Sequence, residues 1–477
     1  MTPMAVAKLM ARMFDDISGD VRLLDAGAGI GSLTAAFVEE FSSRASKVAT
    51  IQSTTFELDD VLFGSLQDTL ADCAAVAESA GLDFVWESKR QDFVDASVLS
   101  LGNGLFGQQI AGFDAAILNP PYMKIGARSR ERELLKSVGL DATNLYAAFV
   151  SLAIRLLKAG GQMVVIIPRS FCNGPYFRSF RNQLLSEMAL RRIHVFESRK
   201  EAFGDDGVLQ ENVIIHAVKG KPAGDSIDVS VSKSAVAADT LHTAAYDEVI
   251  RVSNGETFVH LPTGSADTAL AEWMLGLPAT LSDLGLVVST GRVVDFRSRE
   301  FLRPAPEGET VPLIYPCHFS KGLVDWPKLG GKKPNAILDI PASQSLLVPR
   351  GHYVLTKRFS SKEERRRVVA VVYDPGRYDA ERVGIENHIN YYHAGGEGLP
   401  GDVAFGLNVF LNSTPVDLFF RQFSGHTQVN ATDLRSMRYP SLATLVRMGQ
   451  RALQAPPSSQ EEIDAVLREA CPDFPRG

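Results

Sequence analysis

The chain lacks most of the features that settle a protein's class early. Its four cysteines, Cys73, Cys172, Cys317 and Cys471, lie far apart and form no Cys-x-x-Cys pair. That argues against a structural zinc site or a disulfide framework and for a reducing compartment, the cytoplasm. No His/Cys cluster suggests a metal. No run of about 18 apolar residues marks a membrane span. The opening MTPMAVAKLMARMFDD is too short and too soon charged for a signal peptide. There is no internal repeat, no low-complexity tract, and no helix-turn-helix or zinc-finger pattern. An excess of positive charge is missing as well: the formal net charge is −7. A polyanionic partner must therefore be met by a local basic face.

What is present is a long, ordinary globular sequence. Its 477 residues, 45% hydrophobic and 22% charged, suffice for two or three domains, each with its own core. Residues 21–220 alternate short apolar runs (21–24, 115–118, 163–167) with helical stretches such as 145–158, which the spacing predicts to stop at Gly160-Gly161. That alternation predicts a doubly wound α/β sheet. The Gly/Pro/charge break GKPAGD at 220–225 sets an expected domain boundary at 225/226. Residues 226–455 read as a mixed α/β domain of short strands and turns, and 456–477 as a capped amphipathic helix and tail.

The first chemical signal is Asp25-Ala26-Gly27-Ala28-Gly29-Ile30-Gly31, after one apolar run and before a helix starting at Ser32. Glycines there let the backbone approach a ligand closely. Glu57 follows the second run, where a carboxylate can accept the two ribose hydroxyls of an adenosine, or else cap the next helix. Asp92-Phe93 follows a third segment and offers a carboxylate and a ring to an adenine. No Lys-Ser/Thr follows the glycines, which disfavours ATP hydrolysis.

The sharpest signal is Asn119-Pro120-Pro121-Tyr122, directly after the run FDAAIL. With it the chain resembles the N6-adenine and N4-cytosine amino-methyltransferases that carry a (D/N)PP(Y/F/W) motif. Its motif order resembles the gamma group and the Eco57I and TaqI methyltransferase families. The resemblance implies a methyltransferase α/β sandwich with a seven-stranded, mostly parallel sheet and a C-terminal target-recognition domain. It also implies S-adenosylmethionine as cofactor and duplex DNA as substrate. A separately encoded restriction endonuclease is the implied partner, since no nuclease signature is found in this chain. Matching positions imply cofactor contacts from Thr2, Asp25, Gly27, Gly29, Glu57, Asp92, Asn119 and Phe149. They imply a catalytic set of Asn119, Pro120, Pro121 and Tyr122, with Phe203 closing the second face of the base or serving as a core residue at a turn.

Chemistry explains the residue types. An exocyclic amine conjugated to its ring is a poor nucleophile. Acceptors aimed at its hydrogens, here the Asn119 amide oxygen and the Pro120 carbonyl, favour a nitrogen with its lone pair free, and proline fixes φ so that carbonyls stay presented. No covalent intermediate is needed, so no catalytic cysteine is expected. Inside a duplex the amine is out of reach, so the base must be flipped, and Tyr122 is expected to stack on it.

In the second half, Arg292, Arg297, Arg299, Arg350, His352, Lys357 and Arg358 cluster locally. The run 362–367 (KEERRR) reads as a solvated helix face. Arg128, Arg130 and Arg132 follow the NPPY motif as candidate phosphate contacts. Residues 422–430 (QFSGHTQVN) are dense in groups able to read base edges. The expected reaction is methyl transfer to adenine N6. The alternatives are N4 of cytosine, an RNA base, a protein glutamine, or a non-catalytic subunit that retains the fold.

Overall fold

The computed structural model describes the chain except for residues 1, 45–46, 103–111, 174, 197–210, 233–239, 254–255, 263–264, 361–363, 424–427 and 474–477. The described residues divide into two compact units, 1–264 and 265–477.

In the first unit, strands β1 (Ser18–Ala26), β2 (Lys47–Phe56), β3 (Asp83–Lys89), β4 (Phe113–Leu118), β5 (Leu157–Pro168), β6 (Met188–Phe196) and β7 (Asn212–Lys219) lie in the order 3-2-1-4-5-7-6. All neighbours are parallel except β7, which runs antiparallel to both β5 and β6. Strand alternation feeds two cores. Leu23, Ala115, Ile117, Val164 and Ile166 face helices α1 (Met4–Arg12), α2 (Ser32–Ser43) and α3 (Asp60–Ser79). Leu24, Ala116, Leu118, Met163, Val165 and Ile167 face α4 (Phe93–Leu101), α5 (Arg130–Ser137), α6 (Leu145–Leu156) and α7 (Arg178–Glu187). Each Leu, Ile, Val or Met among them contributes about 1.5–3 kcal/mol by leaving water. Helix α6 is apolar nearly all round, and only its one charged residue, Arg155, is exposed, as a helix covered on every side requires.

Three boundaries differ from the sequence reading. Helix α6 ends at Leu156 because Leu157 already pairs with Phe113, ahead of a register shift, so Gly160-Gly161 falls inside β5. The expected sheet of seven strands has two more at its edge, β8 (Ser226–Ser232), parallel to β6, and β9 (Thr240–Ala245), antiparallel to β8. Ile227, Val229 and Val259 are buried in the same core as β5 and β6. The boundary expected at 225/226 therefore moves to 264/265, and GKPAGD is a turn inside the first unit, with Gly220 at φ +67°.

The second unit carries a six-stranded and a five-stranded sheet. Its helices include Gly401–Leu411, Leu442–Gln454 and Gln460–Ala470. The first two touch backbone to backbone: a Cβ on Gly406 would strike the Leu445 carbonyl, and one on Gly449 the Asp402 carbonyl. Helix Gln460–Ala470 is capped by Ser459, which accepts from Glu462 N (3.2 Å). It belongs to this unit, so 456–477 is no separate body. Among the described residues no single helix is long and apolar enough to cross a membrane. One bent pair, Gly401–Leu411 with Thr414–Gln422, has the length and composition, and most of its residues are buried inside the unit.

Candidate active site

The carboxyl ends of β1, β2 and β4 meet where the strand order reverses, the usual ligand site of an open α/β sheet. A cavity of about 480 Å³ opens there. It is lined among others by Thr2, Gly27, Gly29, Glu57, Asp92, Asn119, Pro121 and Phe149. Of the residues expected to bind cofactor, only Asp25 does not line it.

The glycine loop is held against the end of β2. Gly27 N and Ala28 N both donate to the Phe56 carbonyl (2.9 Å each), and Gly29 N donates to Glu57 Oε2 (2.8 Å). Gly27, Gly29 and Gly31 have φ of +74°, +59° and +86°. Gly31 is the most constrained, because a Cβ there would lie 2.9 Å from Leu66 Cδ1 and 3.1 Å from Thr69 Cγ2 of α3. Gly31→Ala is expected to destabilise the first unit by at least about 1–3 kcal/mol, the cost of a left-handed non-glycine residue. An unchanged denaturant midpoint would refute the steric argument.

The helix-cap alternative for Glu57 falls away. Asp59 caps α3, accepting from Val61 N (2.9 Å) and Leu62 N (3.0 Å). Glu57 Oε1 accepts from Leu58 N (2.7 Å) and Asp59 N (2.8 Å). With Gly29 N on Oε2, three of about four acceptor sites of this carboxylate are used. One hydroxyl fits without rearrangement, and a second needs a backbone bond released. Asp92 caps α4 through Asp95 N (3.0 Å) while also facing the cavity. Phe149 packs on Phe93 (ring centroids 5.0 Å) and lies 3.6 Å from where a Gly27 Cβ would be.

Asp25 lies under the loop, fully buried, and accepts a hydrogen bond from Thr34 Oγ1 (2.7 Å). Among the described residues its Oδ1 has no hydrogen-bond partner. Burial pushes its pKa up to about 7; the Thr34 bonds oppose this and the negative Glu57 adds to it. A carboxyl whose folded-state pKa exceeds its unfolded value favours the fold while protonated. That contribution is complete below about pH 4 and lost as pH rises through about 7. Asp25→Asn keeps an acceptor for Thr34 but cannot ionise, so its melting temperature is expected to gain on wild type between pH 5 and 8. Parallel profiles would sink this reading.

The NPPY residues leave β4 at its carboxyl end. Asn119 Nδ2 donates to Thr2 Oγ1 (2.9 Å), joining the segment before α1 to the motif. The Tyr122 hydroxyl donates to Asn119 Oδ1 (3.0 Å) and lies 3.4 Å from the Ile166 carbonyl. Burial raises the phenol's pKa well above its ordinary value, so it remains a donor. The Tyr122 ring is half-buried and meets Tyr146 edge-on, centroids 6.2 Å apart. Pro120 is buried, Pro121 is exposed at the rim, and Phe203 lies outside the described residues.

The sequence reading missed the apolar rim, Ile30, Leu58, Leu62 and Met123. Leu58 is 62% exposed and Met123 65%. An apolar residue set directly after Glu57 or directly after Asn119-Pro120-Pro121-Tyr122, beside the candidate site, is the signal that marks Leu58 and Met123.

The chain is similar to known proteins. The family model of the Eco57I restriction-modification methylase matches residues 52–203. The type II methyltransferase M.PstI of Providencia stuartii is 45% identical over 471 residues, covering 98% of this chain and 92% of that one. M.BsuBI of Bacillus subtilis, also a type II methyltransferase, is 42% identical with the same coverage. The chain belongs to the type II restriction-modification methyltransferases. The type IIL restriction-modification enzyme MmeI, solved in complex with DNA, shares the fold at 12% identity, with a TM-score of 0.56 over 96% of this chain and 71% of that one.

As a DNA methyltransferase of this family the chain uses S-adenosylmethionine. The cavity fits it. Its volume is within the range of about 300–1,000 Å³ of small-molecule sites. It combines an open glycine loop, a ring beside that loop and the Glu57 carboxylate.

The basic residues around the motif and in the second unit divide differently from expectation. Arg130 pairs with Asp95 (2.9 Å) and Arg132 with Asp141 (2.7 Å). Arg292 donates to the Leu347 carbonyl (3.0 Å) and Arg350 to those of Pro375 and Ala380 (3.0 and 3.2 Å), so both brace loops. His352 lies 3.3 Å from Asp374. The described part of the KEERRR run, 364–367, is no solvated helix face: it is not helical, and Arg367 is buried, its backbone N–H donating to Asp417 (2.5 Å). Residues 424–427 of the polar segment lie outside the described residues.

Proposed function

We propose that the chain transfers a methyl group to N6 of adenine at a specific site in duplex DNA by base flipping, as the modification half of a type II restriction-modification system. A separately encoded endonuclease is its partner, and host DNA places its work in the cytoplasm. The observation that carries this reading is Asn119. It stands at the end of β4, at the cavity wall, tied on one side to Thr2 and on the other to Tyr122. The Asn and Tyr identities and the order of motifs favour adenine over cytosine.

Thr2, Gly27, Gly29, Glu57, Asp92 and Phe149 hold the cofactor, with Asp25 ordering the loop from below. When bound, S-adenosylmethionine supplies an electrophilic methyl group on a sulfonium. Asn119 Oδ1 and the Pro120 carbonyl accept the two amino hydrogens of the target, which frees the nitrogen lone pair for attack. The carbonyl oxygen of Asn119 has two lone pairs, so it can serve the target while Tyr122 still donates to it. Pro121 keeps the turn rigid, Tyr122 stacks on the extruded ring, and Phe203 closes its other face. After transfer one proton leaves the nitrogen for solvent.

Digestion of duplex DNA incubated with protein and cofactor, followed by nucleoside mass spectrometry, tests the base. N6-methyldeoxyadenosine is the expected product. N4-methyldeoxycytidine would overturn the adenine reading, and unmodified DNA would point to RNA or protein.

A further inference from the structure

In the second unit, strands Thr310–Ile314 and Arg382–Ile385 run parallel, with Ile314 opposite Ile385. The chain therefore leaves both at the same end, as Tyr315–Cys317 and as Glu386–His388. Phe359, just past strand Tyr353–Lys357, is brought beside them by the bond from Arg358 N to the His388 carbonyl (2.8 Å). Together with Lys333 these loops line an open cavity of about 380 Å³. Loops gathered at one end of a rigid sheet scaffold are where recognition residues concentrate.

The side chains are tied in place. Glu386 is buried and accepts from the backbone N–H of His388 (2.9 Å) and from its ring Nδ1. The His388 ring packs on Phe359 (centroids 5.0 Å), which is 42% exposed and has the Arg358 guanidinium 5.8 Å from its ring. Opposite, Asp295 accepts from the Tyr315 hydroxyl (2.6 Å) and from Lys333 Nζ (2.8 Å). Next in the chain, Phe296 is 68% exposed, with Arg297 5.3 Å from its ring. Lys333 offsets Asp295 and the buried Glu386 is held by His388, so it is Arg297 and Arg358 that add positive charge to a surface carrying an imidazole and two exposed rings. On a chain of net charge −7 this local surface is suited to a polyanion that also offers flat bases. The polar segment joins it: Gln428 bridges to Phe359, and Val429 N donates to the Arg358 carbonyl (2.8 Å).

We infer that this loop cluster reads base identity in the recognition sequence, with His388, Lys333 and Phe359 determining specificity. The inference rests on duplex DNA being the substrate.

Full-length His388→Ala, Lys333→Gln and Phe359→Leu are each expressed in a methylation-free host, and their methylated sites are mapped by long-read sequencing. Cofactor affinity is measured by calorimetry on the same proteins. Expected is a methylated motif that broadens at one or two base pairs, discrimination there falling roughly 5- to 150-fold, the loss for one base contact, with cofactor affinity unchanged. An unchanged motif in all three variants overturns the inference. So does a uniform loss at every sequence, the mark of phosphate contacts alone. Wild-type controls separate the two levels. Methylated cytosine would remove only the adenine reading, whereas unmodified DNA from a cofactor-binding protein would remove the DNA substrate and this inference with it.

Discussion

Asn119→Ala is expected to lower kcat by about 10²–10³-fold, the usual loss for one preorganised polar group at the reacting centre. Cofactor affinity should stay within about twofold, as for an interaction made only in the transition state. The residue is half-buried, and its two bonds go to side-chain oxygens of Thr2 and Tyr122. Removing its amide therefore orphans no backbone group and leaves the glycine loop, anchored on Phe56 and Glu57, intact. Single-turnover kinetics beside calorimetry separates the two effects. Turnover near wild type would remove Asn119 from the chemistry. Equal losses in turnover and cofactor affinity would make it a binding residue.

Tyr122 is expected to split into two roles. Tyr122→Ala removes the ring proposed to stack on the flipped base, worth about 1–3 kcal/mol, and should lower extrusion of 2-aminopurine placed at the target by roughly 5- to 150-fold. Tyr122→Phe keeps the ring and loses only the hydroxyl on Asn119 Oδ1. It should flip the base normally and turn over several-fold more slowly, about the effect of one neutral hydrogen bond. Unchanged fluorescence with alanine would contradict the stacking role. Identical behaviour of the two variants would contradict the division between ring and hydroxyl.

Much of this site was legible because its chemistry rests on short-range patterns. Apolar runs ending in Gly-x-Gly, in Glu57 and in Asn-Pro-Pro-Tyr mark strand ends, and parallel packing brings adjacent strand ends to one edge. Tertiary pairing was harder to read. The bond from Asn119 to Thr2 spans 117 residues and has no local signature. Strand β8 lies beyond a Gly/Pro turn that looked like a domain break, yet its alternating Ile227, Val229 and Val231 are buried in the first unit. The second unit misled for a different reason. A run of arginines looks solvated in one dimension, but guanidinium groups also bond backbone carbonyls, as Arg366 does for the buried Asn412 (2.8 Å) and Arg350 for the partly exposed Pro375 (3.0 Å). Only the fold separates cations that brace backbone carbonyls from Lys333, which pairs with Asp295 yet stands half-exposed at the rim of a cavity.

The most direct test of the central claim, adenine N6 methylation through Asn119, is long-read sequencing of host DNA after expressing wild type and Asn119→Ala in a methylation-free strain. The account predicts one motif modified at adenine N6 in the wild type and none in the variant. Modified cytosine, or the same adenine modification with Asn119 removed, would contradict it.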